Sequence, residues 1–147
     1  NKPAESIPPL KKALEIDPEN PDYWFSLGKA HILLGDIRKA LKYYVETLKI
    51  DGYYDEAWIE IGIIVIMTGT YSGALRILRK VRQISGDLPG LYFLLASSYL
   101  HMGNIREAAR ALFRASRIDS DLLEEYAVLL PEEKLTQAMK RLFRKTN

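Results

Sequence analysis

The sequence predicts an all-α chain built as a stack of antiparallel helix hairpins. Three observations carry that expectation. Large aromatic residues recur every 34 positions, at Trp24, Trp58, Tyr92 and Tyr126. Between these markers, small and apolar residues return at equal offsets around a central glycine. Apolar residues are spaced three and four apart, the period of one helix face, and no strand signal interrupts them. A fixed period of this length marks one helical hairpin copied and stacked, because a single hairpin cannot bury its own apolar face.

The elements follow in order. Residues 1–20 read as a partial unit: Ser6 to Pro18 suits a second helix whose first helix is absent, with Pro8 and Pro9 in its first turn. Residues 21–54, 55–88 and 89–122 are three full units. Their first helices are expected near 21–34, 55–68 and 89–102, and their second helices near 37–50, 71–84 and 105–118. Trp24, Leu27, Gly28 and His31 stand at i, i+3, i+4 and i+7, so they share one face. Gly28, Gly62 and Ala96 occupy one offset, where a small side chain lets a neighbouring backbone approach. Gly35, Gly69 and Gly103 suit a left-handed helix end, where a Cβ would be strained. Asp36, Thr70 and Asn104 follow as residues able to cap the next helix. Ala40, Ala74 and Ala108 mark the tight crossing inside each hairpin, and Asp17, Asp51 and Asp119 mark the bend into the next unit. Residues 123–147 form a degenerate, shortened pair acting as a C-terminal cap. Tyr126 keeps the phase, Pro131 cuts its helix short, and Ala138 and Leu142 arrive four residues early, as if one helical turn were deleted. The last helix, roughly Glu132 to Arg144, is acidic at its start and basic at its end, which complements the macrodipole.

These residues resemble the tetratricopeptide repeat (TPR) family, whose pattern places W, L-G, Y, G, A, F, A and P at the same spacings. Trp24-x-x-Leu27-Gly28 and Ala13-Leu14-Glu15-Ile16-Asp17-Pro18 match closely, and Trp58-x-x-Ile61-Gly62 nearly as well. His31 and Val65 depart from the family tyrosine that Tyr99 keeps. Gly52, Gly86 and Ser120 depart from the terminal proline that Pro18 keeps. The resemblance implies a right-handed superhelical solenoid with a concave inner face.

Composition excludes several functions. The 147 residues are 48% hydrophobic and 27% charged, enough to bury a core. No stretch approaches the roughly twenty apolar residues of a membrane span. Cysteine is absent, which removes disulfides and thiolate metal sites. A net charge of +2 is weak support for nucleic acid, which is disfavoured as a partner. The two histidines, His31 and His101, are seventy residues apart with no metal-binding spacing, and His31 shares the packing offset of Val65 and Tyr99. Gly62, Gly69 and Gly73 form no phosphate loop. The chain is therefore expected to be no enzyme and to use no metal or cofactor. Lys42, Arg76 and Arg110 share one offset and Lys80 and Arg114 another, a basic stripe that reads first as a solvated helix face.

The resemblance implies that offsets one, five and eight after each marker face the concave groove. Those residues are Phe25, Lys29 and Ile32, then Ile59, Ile63 and Ile66, then Phe93, Ser97 and Leu100, with Glu60 and Leu94 beside them. The strip is mostly apolar, and contiguous apolar surface of this kind marks a contact. The expected function is a protein–protein interaction scaffold that binds a peptide or helix through Phe25, Lys29, Ile32, Ile59, Glu60, Ile63, Phe93, Leu94, Ser97 and Leu100. Phe25 and Glu60 stand where carboxylate-clamping members of the family carry Lys and Asn, which disfavours an acidic chain terminus as ligand in that groove. Two alternatives remain open. The chain self-associates as a structural module through Ile7, Leu10 and Leu14, giving a homo-oligomer, or it is a segment of a larger multidomain protein. Nothing in the sequence names a compartment, and the cytoplasm is the default expectation.

Overall fold

The computed structural model describes residues 2–118 and 126–143. They form eight α-helices and one short 3-10 turn, with no strand among the described residues. The helices are α1 (Pro3–Ile16), α2 (Pro21–Leu33), α3 (Ile37–Ile50), α4 (Asp55–Met67), α5 (Tyr71–Ser85), α6 (Pro89–His101), α7 (Ile105–Ile118) and α8 (Glu132–Phe143), the turn being Ala127–Leu129. The bend at Asp119, the acids Asp121, Glu124 and Glu125, and Arg144 lie outside the described residues, as does the side chain of Leu142.

Each hairpin turn is made the same way. Gly35, Gly69 and Gly103 have φ of +76°, +77° and +77°. At the first, Gly35 N–H donates to Ile32 O at 2.9 Å and Asp36 N–H to His31 O at 2.9 Å. The pair repeats as Gly69 to Ile66 with Thr70 to Val65, and as Gly103 to Leu100 with Asn104 to Tyr99. This double bond pattern satisfies the last carbonyls of the helix and needs a residue without Cβ at its centre. Asp36 then caps α3, its Oδ1 accepting from Lys39 N at 3.1 Å. Thr70 stands at the N-cap of α5 but makes no side-chain cap bond, contrary to expectation.

The chain divides into two compact units, 1–61 and 62–147, with the division falling inside α4. In the first, α2 packs against both α1 and α3. Leu27, Ala40, Tyr44, Thr47 and Ala57 are its most buried side chains. Trp24 Nε1 donates to Pro18 O at 2.8 Å and Trp58 Nε1 to Gly52 O at 3.0 Å, so each indole also pins the turn six residues before it. That polar handle is a reason for tryptophan over a purely apolar ring.

One expectation needs correction. α1 begins at Pro3, not Ser6, so Pro8 and Pro9 lie in the helix interior. Neither can donate to the carbonyl four residues back, on Ala4 or Glu5. Both residues are exposed, so water can serve those carbonyls. α1 has no fully buried residue, and Ile16 is 80% exposed.

In the second unit α6 packs against α5, α7 and α8. Its sequence is apolar nearly all round, and residues from Leu91 through Ser98 are all buried. This central helix decides which side chains of the unit reach the surface.

Candidate functional site

The first unit presents a compact aromatic and ionic patch. Phe25 is half-buried, its ring 5.0 Å from that of Tyr54 and 5.4 Å from that of Tyr44. Tyr54 is fixed in turn, its hydroxyl donating to Asp22 Oδ1 at 2.8 Å. Burial, then the Asp22 bond, push the Tyr54 hydroxyl well above the usual phenol range. Phe25, Lys29 and Ile32 fall at i, i+4 and i+7, one stripe of α2. From α4, Glu60 reaches that stripe and accepts from Lys29 Nζ at 2.7 Å. The Glu60 side chain is only 18% exposed against 51% for Lys29. Ile32 and Ile59 are half-buried. The two charges expected to read a partner thus neutralise each other and leave a nearly neutral, largely apolar surface. Tyr44 is fully buried, and its hydroxyl has no hydrogen-bond partner among the described residues. Burial, with Glu60 second, pushes that hydroxyl far above its ordinary value.

The equivalent residues of the second unit are placed differently. Phe93, Leu94, Ser97 and Leu100 are each at most 2% exposed, so the expectation that they line an open surface does not hold. The chain covers this face itself. The ring of Tyr126 stacks on Phe93, centroids 5.6 Å apart and planes 4° from parallel. Ser97 Oγ donates to Leu129 O, and Lys134 Nζ to His101 O at 3.1 Å. Gly90 makes room for this cover: a Cβ there would come within 2.6 Å of the Tyr126 hydroxyl. Ile63 is half-buried and borders a hollow of about 400 Å³ with Ile66, Met67, Tyr71, Val128 and Leu129.

Sequence reasoning missed Tyr54 as a support for Phe25 and Gly90 as the seat of Tyr126. Tyr54 closes a repeat unit, and Gly90 follows Pro89 at a helix start, so neither carries a periodic signal.

Neither histidine forms a reactive pair open to substrate. His31 is 7% exposed, lies against Tyr43 with ring centroids 5.2 Å apart, and has no hydrogen-bond partner on either ring nitrogen among the described residues. Burial, then Lys39, lowers its pKa from the usual 6.5, against the opposing pull of Asp36. His101 stacks on Tyr71 at 4.3 Å, and its Nδ1 lies 2.9 Å from the Ser97 carbonyl and 3.5 Å from Ser97 Oγ. That serine is fully buried and its hydroxyl is spent on Leu129, so it offers no nucleophile. Among the described residues no group of three His, Cys, Asp or Glu side chains is arranged to hold a metal. None of the described helices is long and apolar enough to cross a membrane.

Comparison with known proteins agrees with this architecture. Tetratricopeptide repeat models match residues 2–35, 21–54 and 65–130. No curated protein matches the sequence. Among solved structures, MamA from Desulfovibrio magneticus RS-1 superposes with a TM-score of 0.69 at 20% identity, covering 99% of this chain and 88% of that one. YrrB, described as a TPR protein with an unusual peptide-binding site, superposes at 0.67 and 18% identity, covering 90% and 74%. At these identities the superpositions speak to fold alone. With an all-α hairpin stack, its three glycine turns and the matching repeat models in agreement, the chain is a member of the tetratricopeptide repeat family.

Proposed function

We propose that this protein-interaction scaffold holds an extended or helical peptide of a protein partner against the α2–α4 face of its first unit. Phe25, Ile32 and Ile59 supply apolar area to be desolvated, and the closed Lys29–Glu60 pair sets a polar edge. The observation that carries the reading is Phe25, a large ring left half-exposed although two tyrosines brace it from below. A pre-braced aromatic loses little freedom on binding, which is how anchors at protein interfaces work. YrrB, a structural neighbour with a peptide-binding site, supports a peptide as the class of ligand. Of the ten residues named from sequence, Phe93, Leu94, Ser97 and Leu100 are left out of the site, since all four are buried, Phe93 under the Tyr126 ring and Ser97 against Leu129.

Peptides selected from a random display library against the purified chain test this. Phe25→Ala should weaken the selected binders by about 1–3 kcal/mol, roughly tenfold or more. Because Phe25 also braces two tyrosines, Ile32→Ser serves as a second variant with less effect on packing. Selected peptides that bind both variants as tightly as the parent chain sink the assignment.

A second reading, self-association, rests on α1, whose Ile7, Leu10 and Leu14 are only half-buried while Ile16 is exposed. Light scattering across a concentration series decides it: a mass fixed at one chain eliminates the homo-oligomer.

A further inference from the structure

Charge is distributed unevenly along the molecule. Residues 1–61 hold eight Lys and Arg against eleven Asp and Glu, a net −3, while residues 62–147 hold thirteen against eight, a net +5. The excess lies on two helices: α5 and α7 together carry eight cations and the single carboxylate of Glu107. In the first unit four of the seven lysines are paired, as Lys2–Glu5, Lys29–Glu60, Lys39–Asp36 and Lys49–Glu46. On α5 and α7 the one ion pair among the described residues is Arg110–Glu107 at 2.7 Å.

These cations border a shaped cleft. A hollow of about 460 Å³ opens on this side of the second unit. Its floor is Tyr92, Leu95 and Ala111, all buried, and its walls carry Arg82, Arg114, Phe113 and the Arg110–Glu107 ion pair. Arg114 is held in position: it donates to the Tyr92 hydroxyl at 3.2 Å, and that hydroxyl donates to Asp87 Oδ1. One of five guanidinium donors is so used, leaving an oriented fork for an incoming oxyanion. Arg82 has no carboxylate partner among the described residues. Phe113 is 49% exposed, with the Arg117 guanidinium 5.9 Å from its ring centre.

We infer that this cleft is a second recognition surface, fitted to an acidic peptide segment of a protein partner. Both halves of the lining point that way. The arginines match carboxylates, and the apolar floor with Phe113 beside it matches the aliphatic or aromatic residues between them. A nucleic acid gains affinity by continuous phosphate contacts along its backbone. Here Glu107 and Asp87 interrupt the positive field, and one exposed ring gives no run of stacking platforms. This surface is separate from the α2–α4 face, and the two assignments can fail independently.

Fluorescence polarisation tests it with three labelled probes: a short peptide alternating glutamate with leucine, its glutamine twin, and an oligouridylate. The glutamate peptide should bind most tightly, and doubling ionic strength should weaken it. Arg82→Gln with Arg114→Gln should weaken it roughly tenfold, as expected for two charge-assisted contacts at a surface. Phe25→Ala should leave it unchanged. Both arginines are exposed, so the double variant should fold, which its helical content and melting temperature check; Phe113→Ala provides a second probe of the cleft. Equal binding of the glutamine twin, absence of binding by all three probes, or undiminished binding by the arginine variant overturns the proposal. Oligouridylate bound as tightly as the peptide, and lost with the same arginines, replaces the acidic peptide by a general polyanion.

Discussion

At the residue scale, the small position of each repeat is coupled to the large one facing it. Gly28 lies under Tyr44, where a Cβ would come within 2.6 Å of the ring at Cδ1. At Gly62 the facing residue is Leu78, 3.0 Å from such a Cβ, and at Ala96 the same offset of the next helix is Leu112. A methyl stands at this offset in Ala96, whereas at Gly62 it would press on the tips of Leu78 and Leu94, a smaller conflict than the Tyr44 ring presents at Gly28. Gly28→Ala gains about 1 kcal/mol of helix propensity but forces a fully buried ring to move, costing about 1–3 kcal/mol. The variant should have a lower urea midpoint, and Gly28→Ala with Tyr44→Leu should recover part of the loss. Additive losses in the double variant would show that the two positions are not coupled. His31 offers a second test. Its folded pKa is lowered, chiefly by burial and Lys39, so the unfolded chain takes up the proton first as pH falls. Its contribution is complete above 6.5 and is lost as pH falls below that value toward the folded pKa. One proton limits the slope to about 1.4 kcal/mol per pH unit. His31→Leu should flatten stability between pH 7 and 5.5, leaving the lower-pH loss from Asp36, whose carboxyl Lys39 holds below the usual range. An unchanged slope in urea titrations at the two pH values would remove His31 as the cause.

At the scale of elements, the turns were legible because their cause is local. A glycine at positive φ followed by a capping residue is a property of a few adjacent residues, and α2, α4 and α6 end within one residue of the ranges read from sequence. Phe25, at the offset expected of a partner-facing residue, is left half-exposed. Phe93, at the same offset, is buried because a different ring, that of the following marker, lies over it. In the first unit Phe25 packs on Tyr54, four residues before the marker Trp58. In the second, Phe93 packs on the marker Tyr126 itself. The ring that meets Phe93 therefore stands four residues, about one helical turn, later in the repeat than the ring that meets Phe25. The sequence shows that a turn is lost, but which ring then meets Phe93 depends on tertiary packing. Removing that ring is the direct test. Tyr126→Ala should lower protection of residues 91–101 against amide hydrogen exchange, by up to roughly 3 kcal/mol if the cavity does not collapse. Residues 27–33 should be unaffected. Unchanged protection at 91–101 would mean that the segment covers Phe93 without stabilising it.

At the scale of the whole molecule, nearest-neighbour interactions dominate a repeat protein, so each unit should answer to its own charges. On α5, Arg76 and Lys80 stand four apart, and Arg76, Arg79 and Arg82 three apart. On α7, Arg106, Arg110 and Arg114 are spaced by four and Arg114 and Arg117 by three. Like charges at these spacings face one another and each pair costs about 0.2–0.5 kcal/mol at low salt. Among the described residues Glu107 pairs with Arg110, and Asp87 acts on Arg114 through the Tyr92 hydroxyl. The first unit has more carboxylates than cations, and four of its lysines are paired with them. Salt screens both, with a Debye length of about 10 Å at 0.1 M. Raising ionic strength should therefore stabilise residues 62–147 by about 1–2 kcal/mol through relief of repulsion. It should leave residues 1–61 unchanged or slightly weakened as their ion pairs are screened. Hydrogen exchange at low and high sodium chloride separates the two, reading α6 and α7 against α2 and α3. A uniform response would show that the cations of α5 and α7 are too well solvated to oppose folding. A selective gain would show stored repulsion, which a bound acidic segment relieves as salt does, so ligand binding and added salt should stabilise the second unit less than additively.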